Sequence, residues 1–375
     1  MTTKSRSLRP PGRVCTELWV RAAGRCEFRG CNKLLLHDGL TKQGSNLSVI
    51  SHIVAYSPDG PRGDAVRSPL LCQDISNLML TCRDHGKLID DDALVSQYPE
   101  ELLLQFKSEH EARIMRLTGI SPDSQTRVLI FQAPVNGVRV AINEVAAIQA
   151  ALPRYPADES SFVISLNEIG DLSGPAAMKL AAQVIDSKLD ELQRLERGSA
   201  QHLSVFALAP IPLVVMLGRR LGDTRELDAF QRHRSTQQWA WPTEEKPAPF
   251  FSVISHRPTQ GAEAAVVLSI SGQTDLDAVK AHVADEAGIL EIRARRRGLD
   301  FLRSKARLDA FAMEARSVLS TLHDAGVTRV HLFAAVPAPV ALEFGRAARK
   351  MTGELVVYEY DEGARVYGCP LSISA

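Results

Sequence analysis

One stretch of this chain occurs twice, and that repeat restricts the fold more than any other feature. Laid over each other with a shift of 127 residues, SVFALAPIPLVVMLGRRL (204–221) and HLFAAVPAPVALEFGRAA (331–348) share six identities in eighteen positions. Phe206, Ala207, Pro210, Pro212, Gly218 and Arg219 fall on Phe333, Ala334, Pro337, Pro339, Gly345 and Arg346. Both copies run in one order: a short apolar strand, Pro-x-Pro, a helical run, Gly-Arg. Self-similarity of this kind marks a duplicated supersecondary unit. The chain therefore carries two copies of one α/β unit, at about 160–250 and 262–375, related by a pseudo-two-fold.

The surrounding pattern agrees. Short β-branched runs (FVISL, LSVFALA, LDAF, AVVLSIS, VHLFAAV, ELVVYEY) alternate with helical segments at 174–197, near 214–221, from Leu276, at 303–325 and near 341–351. Such alternation indicates parallel strands with helical crossovers. Ahead of them, VLIFQAPVNGVRVAI reads as a hairpin turning at Asn136-Gly137, the type I′ pair, followed by a helix near 143–152. The polar, turn-rich GISPDSQTR precedes it. The expected organisation is a first domain at 1–118, a linker at 119–127 and a second domain at 128–375, which suits 375 residues.

Ligands of parallel α/β units bind outside the carboxyl ends of the strands. Two units related by a pseudo-two-fold set two such crevices side by side, an arrangement suited to a cyclic, repetitive ligand. Pro210, Ser271, Gln273 and Pro337 are the candidate strand-end contacts. Trp241, in Gln-Gln-Trp-Ala-Trp, is the candidate for stacking on a base, and Arg219 and Arg346 for meeting phosphate.

The first domain is organised by soft ligands. Cys26-x4-Cys31 and Cys82-x2-His85, with 50 residues between the pairs, have the residue types and spacing of a four-coordinate structural zinc site. Cys15 and Cys72 lie outside that spacing and read as ordinary thiols. Between the pairs, His52 sits in the strand-like run 47–55, and Asn77 opens a second apolar run. An imidazole near neutral pKa can deprotonate a water that attacks a phosphodiester, and a hard divalent ion would stabilise the leaving oxygen. Asp90, Asp91 and Asp92 form an acidic turn after the second pair. Helices are expected at 14–24 and 102–117.

Ser51-His52-Ile53, Gly60-Pro61-Arg62-Gly63, Asn77-Leu-Met-Leu-x-Cys82-x2-His85, Ile89-Asp90 and Lys107-x2-His110-Glu111 together resemble an HNH endonuclease of the ββα-metal class, across about 13–117. By that resemblance His52 is the general base and Asn77 braces the hairpin and orients His52. Cys26, Cys31, Cys82 and His85 hold structural Zn2+, and Mg2+ or Mn2+ serves catalysis. Relatives carry a second histidine directly after the zinc histidine; here Gly86 stands in its place. Either Asp90 or another carboxylate and water complete the catalytic metal site, or catalysis is impaired.

The whole chain is similar to the HNH-SAVED effectors of bacterial cyclic-oligonucleotide (CBASS) antiphage defence. The second half of that likeness rests on Ala-Pro-x-Pro-Leu…Leu-Gly-Arg, Trp-x-Trp-Pro, Leu-Ser-Ile-Ser-Gly and His-Leu-Phe-x-Ala-x-Pro-x-Pro…Tyr-Glu. It implies an α/β protein with an N-terminal ββα-metal HNH domain and a C-terminal SAVED domain of two fused CARF-like pseudo-repeats. It also implies an endonuclease activated by a cyclic di- or trinucleotide from a partner synthase, assembling as a homo-oligomer, dimer to tetramer, to degrade double-stranded DNA.

Composition narrows the alternatives. With 45% hydrophobic and 23% charged residues the chain is globular, and no uncharged apolar run is long enough to cross a membrane. The basic start MTTKSRSLRPPGR lacks the apolar core of a secretory signal, so a cytoplasmic protein is expected. A net charge of zero excludes a global basic field, yet the first 33 residues carry eight Lys/Arg against two Glu. Any DNA footprint should begin there, with Arg62 adding a phosphate contact. Two other readings stay open: a modification-dependent HNH restriction endonuclease, and a non-catalytic, zinc-stabilised DNA-binding sensor.

Overall fold

The computed structural model describes residues 10–37, 43–44, 46–195, 202–350, 353–361, 363 and 366–374. Most of the basic leader, and the far ends of the helices expected at 174–197 and 341–351, lie outside the described residues. The chain divides into two compact units, Met1–Ser121 and Pro122–Ala375. Among the described residues no helix is long and apolar enough to cross a membrane.

The first unit contains α1 (Gly12–Arg21), β1 (Ser48–His52), α2 (Arg67–Leu71), β2 (Leu78–Cys82), α3 (Arg83–Ile89) and α4 (Glu100–Thr118). β1 and β2 pair antiparallel, with His52 opposite Leu78 and Val49 opposite Thr81. Successive side chains of β2 point to opposite faces. Leu78, Leu80 and Cys82 pack with Leu18, Ala22, Cys26 and Leu35, while Met79 packs with Ile53, Ile89, Leu103 and Phe106. β2 is thus buried on both faces, β1 is buried only at Ser51, and α3 follows β2 without a linker.

Gly86 lies where α3 crosses the hairpin. A Cβ there would stand 2.8 Å from Thr81 Oγ1, 3.1 Å from Ser51 Oγ and 3.2 Å from Val49 Cβ. The two hydroxyls hydrogen-bond each other at 2.8 Å across the strands. The helix is drawn onto the sheet so closely that only glycine fits without movement.

The second unit has two sheets. The first is built from β3 (Gln125–Gln132), β4 (Tyr155–Pro156), β5 (Phe162–Ser165), β6 (Leu203–Leu208) and β7 (Leu227–Phe230), with helices α5 (Glu144–Ala151), α6 (Pro175–Leu195) and α7 (Ile211–Leu221). β3 is flanked by β4 and β5 on one side and β6 on the other, β7 lies beyond β6, and every pairing is parallel. The second sheet comprises β8 (Phe251–Arg257), β9 (Glu263–Ser269), β10 (Gly288–Ala294), β11 (Arg329–Ala335), β12 (Glu354–Asp361) and β13 (Val366–Ile373). Its helices are α8 (Leu276–Lys280), α9 (Lys305–Asp324) and α10 (Ala338–Ala347). The order is β13-β12-β11-β9-β10-β8; the four central strands are parallel and both edges antiparallel.

The two halves match strand for strand. β5-β3-β6-β7 corresponds to β10-β9-β11-β12, with α6, α7 answering α9, α10. The first copy therefore begins at β3, not near residue 160. The expected hairpin is also corrected: Asn136 and Gly137 make a turn at φ 50 and 72, bridging Val135 to Val138, but the return run forms no strand and β3 pairs only in parallel. Residues 125–127, expected in the linker, open β3.

Helices α6, α7, α9 and α10 share one continuous core with the facing sides of both sheets, through residues such as Phe131, Val205, Leu217, Val266, Phe311 and Phe344. The opposite sheet faces are covered by α5 with Trp239 and by α8. At the pseudo-two-fold, α7 crosses α10. A Cβ on Gly218 would stand 2.1 Å from the Leu342 carbonyl oxygen, and one on Gly345 would stand 2.0 Å from that of Val215. The repeated glycines let the two backbones touch.

Candidate functional site

In the first unit, the Cys26, Cys31 and Cys82 sulfurs and a ring nitrogen of His85 all lie within 4.8 Å of one another. His85 Nδ1 is 3.2 Å from Cys82 Sγ and 3.7 Å from Cys26 Sγ, and the ring stacks on Phe28 at 4.1 Å. Ligands about 2.3 Å from a tetrahedral zinc lie roughly 3.8 Å apart, so the cluster needs little adjustment to close around one ion. Burial pushes the Cys26 thiol up to about 12, and a thiolate at that place calls for a bound cation. The donor set fits zinc. Cys15 and Cys72 lie outside the cluster.

His52, the last residue of β1, borders a cavity of about 920 Å³ together with Ser51, Tyr56 and Asp90. His52 Nε2 is 2.9 Å from the Cys72 carbonyl oxygen. A carbonyl only accepts, so Nε2 carries the proton, and in the neutral imidazole the lone pair of a base is then on Nδ1. Buried Asn77 accepts from Val54 N and donates to Val54 O, both at 2.8 Å, and also donates to Leu71 O at 3.3 Å. Its amide clamps the exit of β1 to the segment that presents the Cys72 carbonyl. It touches the hairpin and that segment, and the ring of His52 is held by Cys72.

Arg62 does not reach outward for phosphate. Its guanidinium donates to the carbonyls of Ile53 and Ile89 and, at 3.0 Å, to Asp90 Oδ1; its side chain is 8% exposed. Asp90 is tied to this brace, and desolvation, outweighing Arg62, holds its carboxyl above the usual range. His110 and Lys107 are likewise internal, His110 on the Ala22 carbonyl and Lys107 on Glu111. A hard divalent ion finds a sparse set here. His52 and Asp90 border the cavity, Gly86 offers no ligand, and the described residues hold no other cluster of three metal-ligating groups.

In the second unit, two crevices open at the carboxyl ends of the strands. The first, about 630 Å³, is lined by the turn after β3, by Asp171–Ser173, by Pro210 and by the β12–β13 end. The second, about 410 Å³, is lined by Gln231 and Arg234 after β7, Ser271 and Gln273 after β9, Pro337 after β11, and Tyr367. Glu359 and Tyr360, at the end of β12, line both. Tyr360 is 40% exposed.

Three sequence candidates line neither crevice. Arg219 and Arg346 are buried, and both guanidiniums are engaged within the fold: Arg219 on the carbonyls of Gly353 and Ile373, Arg346 on the carbonyls of Gly222 and Arg225 and on the Glu343 carboxylate. They bind the two copies together and do not meet phosphate. Trp241 packs half-buried on the core, edge-on to His233, and Trp239 is fully in the core against Phe206.

Arg234 does line the second crevice, and further cations lie in the chain beside it. β10 delivers Arg295, Arg296 and Arg297, all exposed, at its carboxyl end, and Gly298 N ties this turn to the Ile270 carbonyl beyond β9. Leu299 in the same turn, and Arg234, line the second crevice. The signal was a triple arginine directly after GILEIRA; it goes unread when that strand is missed.

Residues 185–373, just over half of the chain, match the family described as SMODS-associated and fused to various effectors sensor domain, SAVED. The chain belongs to the SAVED family. The matched SAVED region runs from the middle of α6 to the end of β13, so it contains β6, β9, β11 and β12, whose ends wall the crevices. No curated protein matches the chain. Among solved structures it is similar to the Acinetobacter baumannii Cap4 SAVED/CARF-domain containing receptor with the cyclic trinucleotide 3'3'3'-cAAA, at 16% identity and TM-score 0.44, covering 82% of this chain and 67% of that one. The same receptor with 2'3'3'-cAAA gives 15% and 0.43 at the same coverage. The Moraxella osloensis Cap4 receptor gives 14% and 0.39, covering 77% of this chain and 64% of that one.

Proposed function

We propose that this chain is a DNA endonuclease switched on by a cyclic di- or trinucleotide, acting in CBASS-type antiphage defence. The observation that carries the reading is the pair of crevices that share the Glu359–Tyr360 wall at the strand ends of a SAVED sensor unit. A ring of nucleotides presents the same phosphate and base repeatedly, and two adjoining crevices related by a pseudo-two-fold can hold two of its repeats at once. Tyr360 offers an exposed ring for a base to stack on, worth about 1–3 kcal/mol. Arg234 and the Arg295–Arg297 turn supply positive charge for phosphates.

The effector half of the reading rests on His52. Its Nδ1 takes a proton from the attacking water, while the Cys72 carbonyl keeps Nε2 protonated and the ring in place. Cys26, Cys31, Cys82 and His85 would hold Zn2+, which supplies folding energy and no chemistry. Mg2+ or Mn2+ is proposed to accompany the DNA phosphate. Ligand-driven homo-oligomerisation would bring effector units together on double-stranded DNA, and the messenger would come from a partner synthase.

One observation favours a second reading, a zinc-stabilised DNA-binding sensor that does not cut: Gly86 is packed against Ser51 and Thr81, at the position where the HNH endonucleases that the sequence resembles carry a metal histidine. Calorimetric titration of the full chain with cyclic di- and trinucleotides tests the sensor half. Binding that falls tenfold or more in both Tyr360→Ala and Arg234→Ala is expected. Absence of binding by every ring would refute it.

A further inference from the structure

Glu359 stands where an anionic ligand should be least welcome. It leaves the carboxyl end of β12, borders both crevices, and takes the backbone N–H of Ile211 at the start of α7. Its Oε2 is buried without a hydrogen-bond partner. A buried acceptor left unmet costs free energy that a well-placed donor recovers. Burial alone pushes the carboxyl up to about 7, with no cation offsetting it. The charged and titratable groups around it are Asp171 and Asp361 on the first crevice, Asp275 and Arg234 on the second, and Tyr360 and Tyr367 on the adjoining strands. The first crevice is thus acidic among its described residues, and the second carries the arginine.

We propose that Glu359 is the specificity-determining residue of the messenger site: Oε2 accepts a hydrogen bond from the exocyclic amino group of a purine seated in the first crevice, while the phosphates lie toward Arg234. The proposal rests on the reading that a cyclic oligonucleotide binds here, and it adds which edge of which base class is read. A phosphate oxygen would be repelled by Glu359, and a base edge that offers only acceptors would leave Oε2 unmet. An amino group satisfies it. Sites built to bond one donor reject the analogue lacking it far more strongly than they reject a small change of shape.

The test uses the full chain and three probes: cyclic tri-adenylate, cyclic tri-guanylate and cyclic tri-inosinate, the last lacking the amino group of either of the others. Dissociation constants are measured for the wild type, Glu359→Gln and Glu359→Asp, with thermal unfolding run alongside. Gln is isosteric and can still accept from Ile211 N, but it turns an amide N–H2 toward the ligand; Asp withdraws the acceptor and keeps the charge. The expected result is that an amino-purine ring binds the wild type at least tenfold more tightly than the inosine ring. The ratio should fall below threefold in both variants. Equal binding of amino and inosine rings by the wild type, or a ratio unchanged in both folded variants, overturns the role of Glu359 while leaving messenger binding standing. If none of the three rings binds the wild type while another cyclic di- or trinucleotide does, this proposal falls and the messenger reading stands; if no cyclic di- or trinucleotide binds, the two fall together.

Discussion

Arg219 Nη2 donates to the carbonyl oxygen of Gly353 at 2.8 Å, so an arginine of the first repeat holds the residue directly before β12 of the second. Arg346 returns the bond, to Gly222 and Arg225 in the turn between α7 and β7. The two copies are cross-tied by the same residue of the repeated Gly-Arg pair.

Arg219→Met therefore strands buried carbonyls, at a cost of about 2–4 kcal/mol. Arg346→Met, which also unpairs buried Glu343, should cost as much. Both variants are expected to lower the melting temperature by several degrees, and the protein that remains folded should bind cyclic nucleotides with unchanged affinity. Lost affinity at unchanged melting temperature would mark these arginines as phosphate contacts instead.

Zinc analysis of the purified chain should find one ion per molecule. Chelation or Cys82→Ser is expected to remove it and expose the first unit to protease, because closing such a site contributes on the order of 10 kcal/mol to folding a small domain. The second unit, with its own core, should stay resistant. A chain that binds no zinc and keeps its first unit protected would contradict the assignment.

Glu359 makes stability depend on pH in a definite direction. Its carboxyl is raised in the folded chain from 4.5 to about 7, so the folded state favours the neutral form. The resulting penalty is absent below about pH 4.5, grows as pH rises toward 7, and is constant above, reaching up to about 3 kcal/mol. In the ligand-free protein, Glu359→Gln should be more stable than wild type at pH 8 and equal to it near pH 4.5, as read by urea unfolding. A difference that does not change with pH would show that the carboxyl is not strained.

What the sequence disclosed, and what it hid, follows from range. Ligand type and spacing in Cys26-x4-Cys31 and Cys82-x2-His85 predict the cluster because metal chemistry permits few donors. The repeat was visible because two helices crossing in contact demand glycine at 218 and 345, and that demand is written in one residue each. The roles of the adjoining arginines are hidden because their carbonyl partners lie 121 to 154 residues away; the one local partner, Glu343 three residues before Arg346, does not reveal them. β3 was mistaken for half of a hairpin since Asn136-Gly137 does turn the chain, and only tertiary pairing decides that no strand returns. Gly86 was legible as a departure; its reason, the Ser51–Thr81 hydroxyl pair beneath it, is a contact across strands.

The most direct measurement is cleavage of supercoiled plasmid by the full chain with Mg2+ or Mn2+, with and without cyclic di- and trinucleotides, beside a His52→Ala variant shown to be folded and zinc-loaded. The account predicts cutting only when a ring that binds is present, abolished in His52→Ala. No cutting with a ring that demonstrably binds, or cutting that survives the loss of His52, would contradict it.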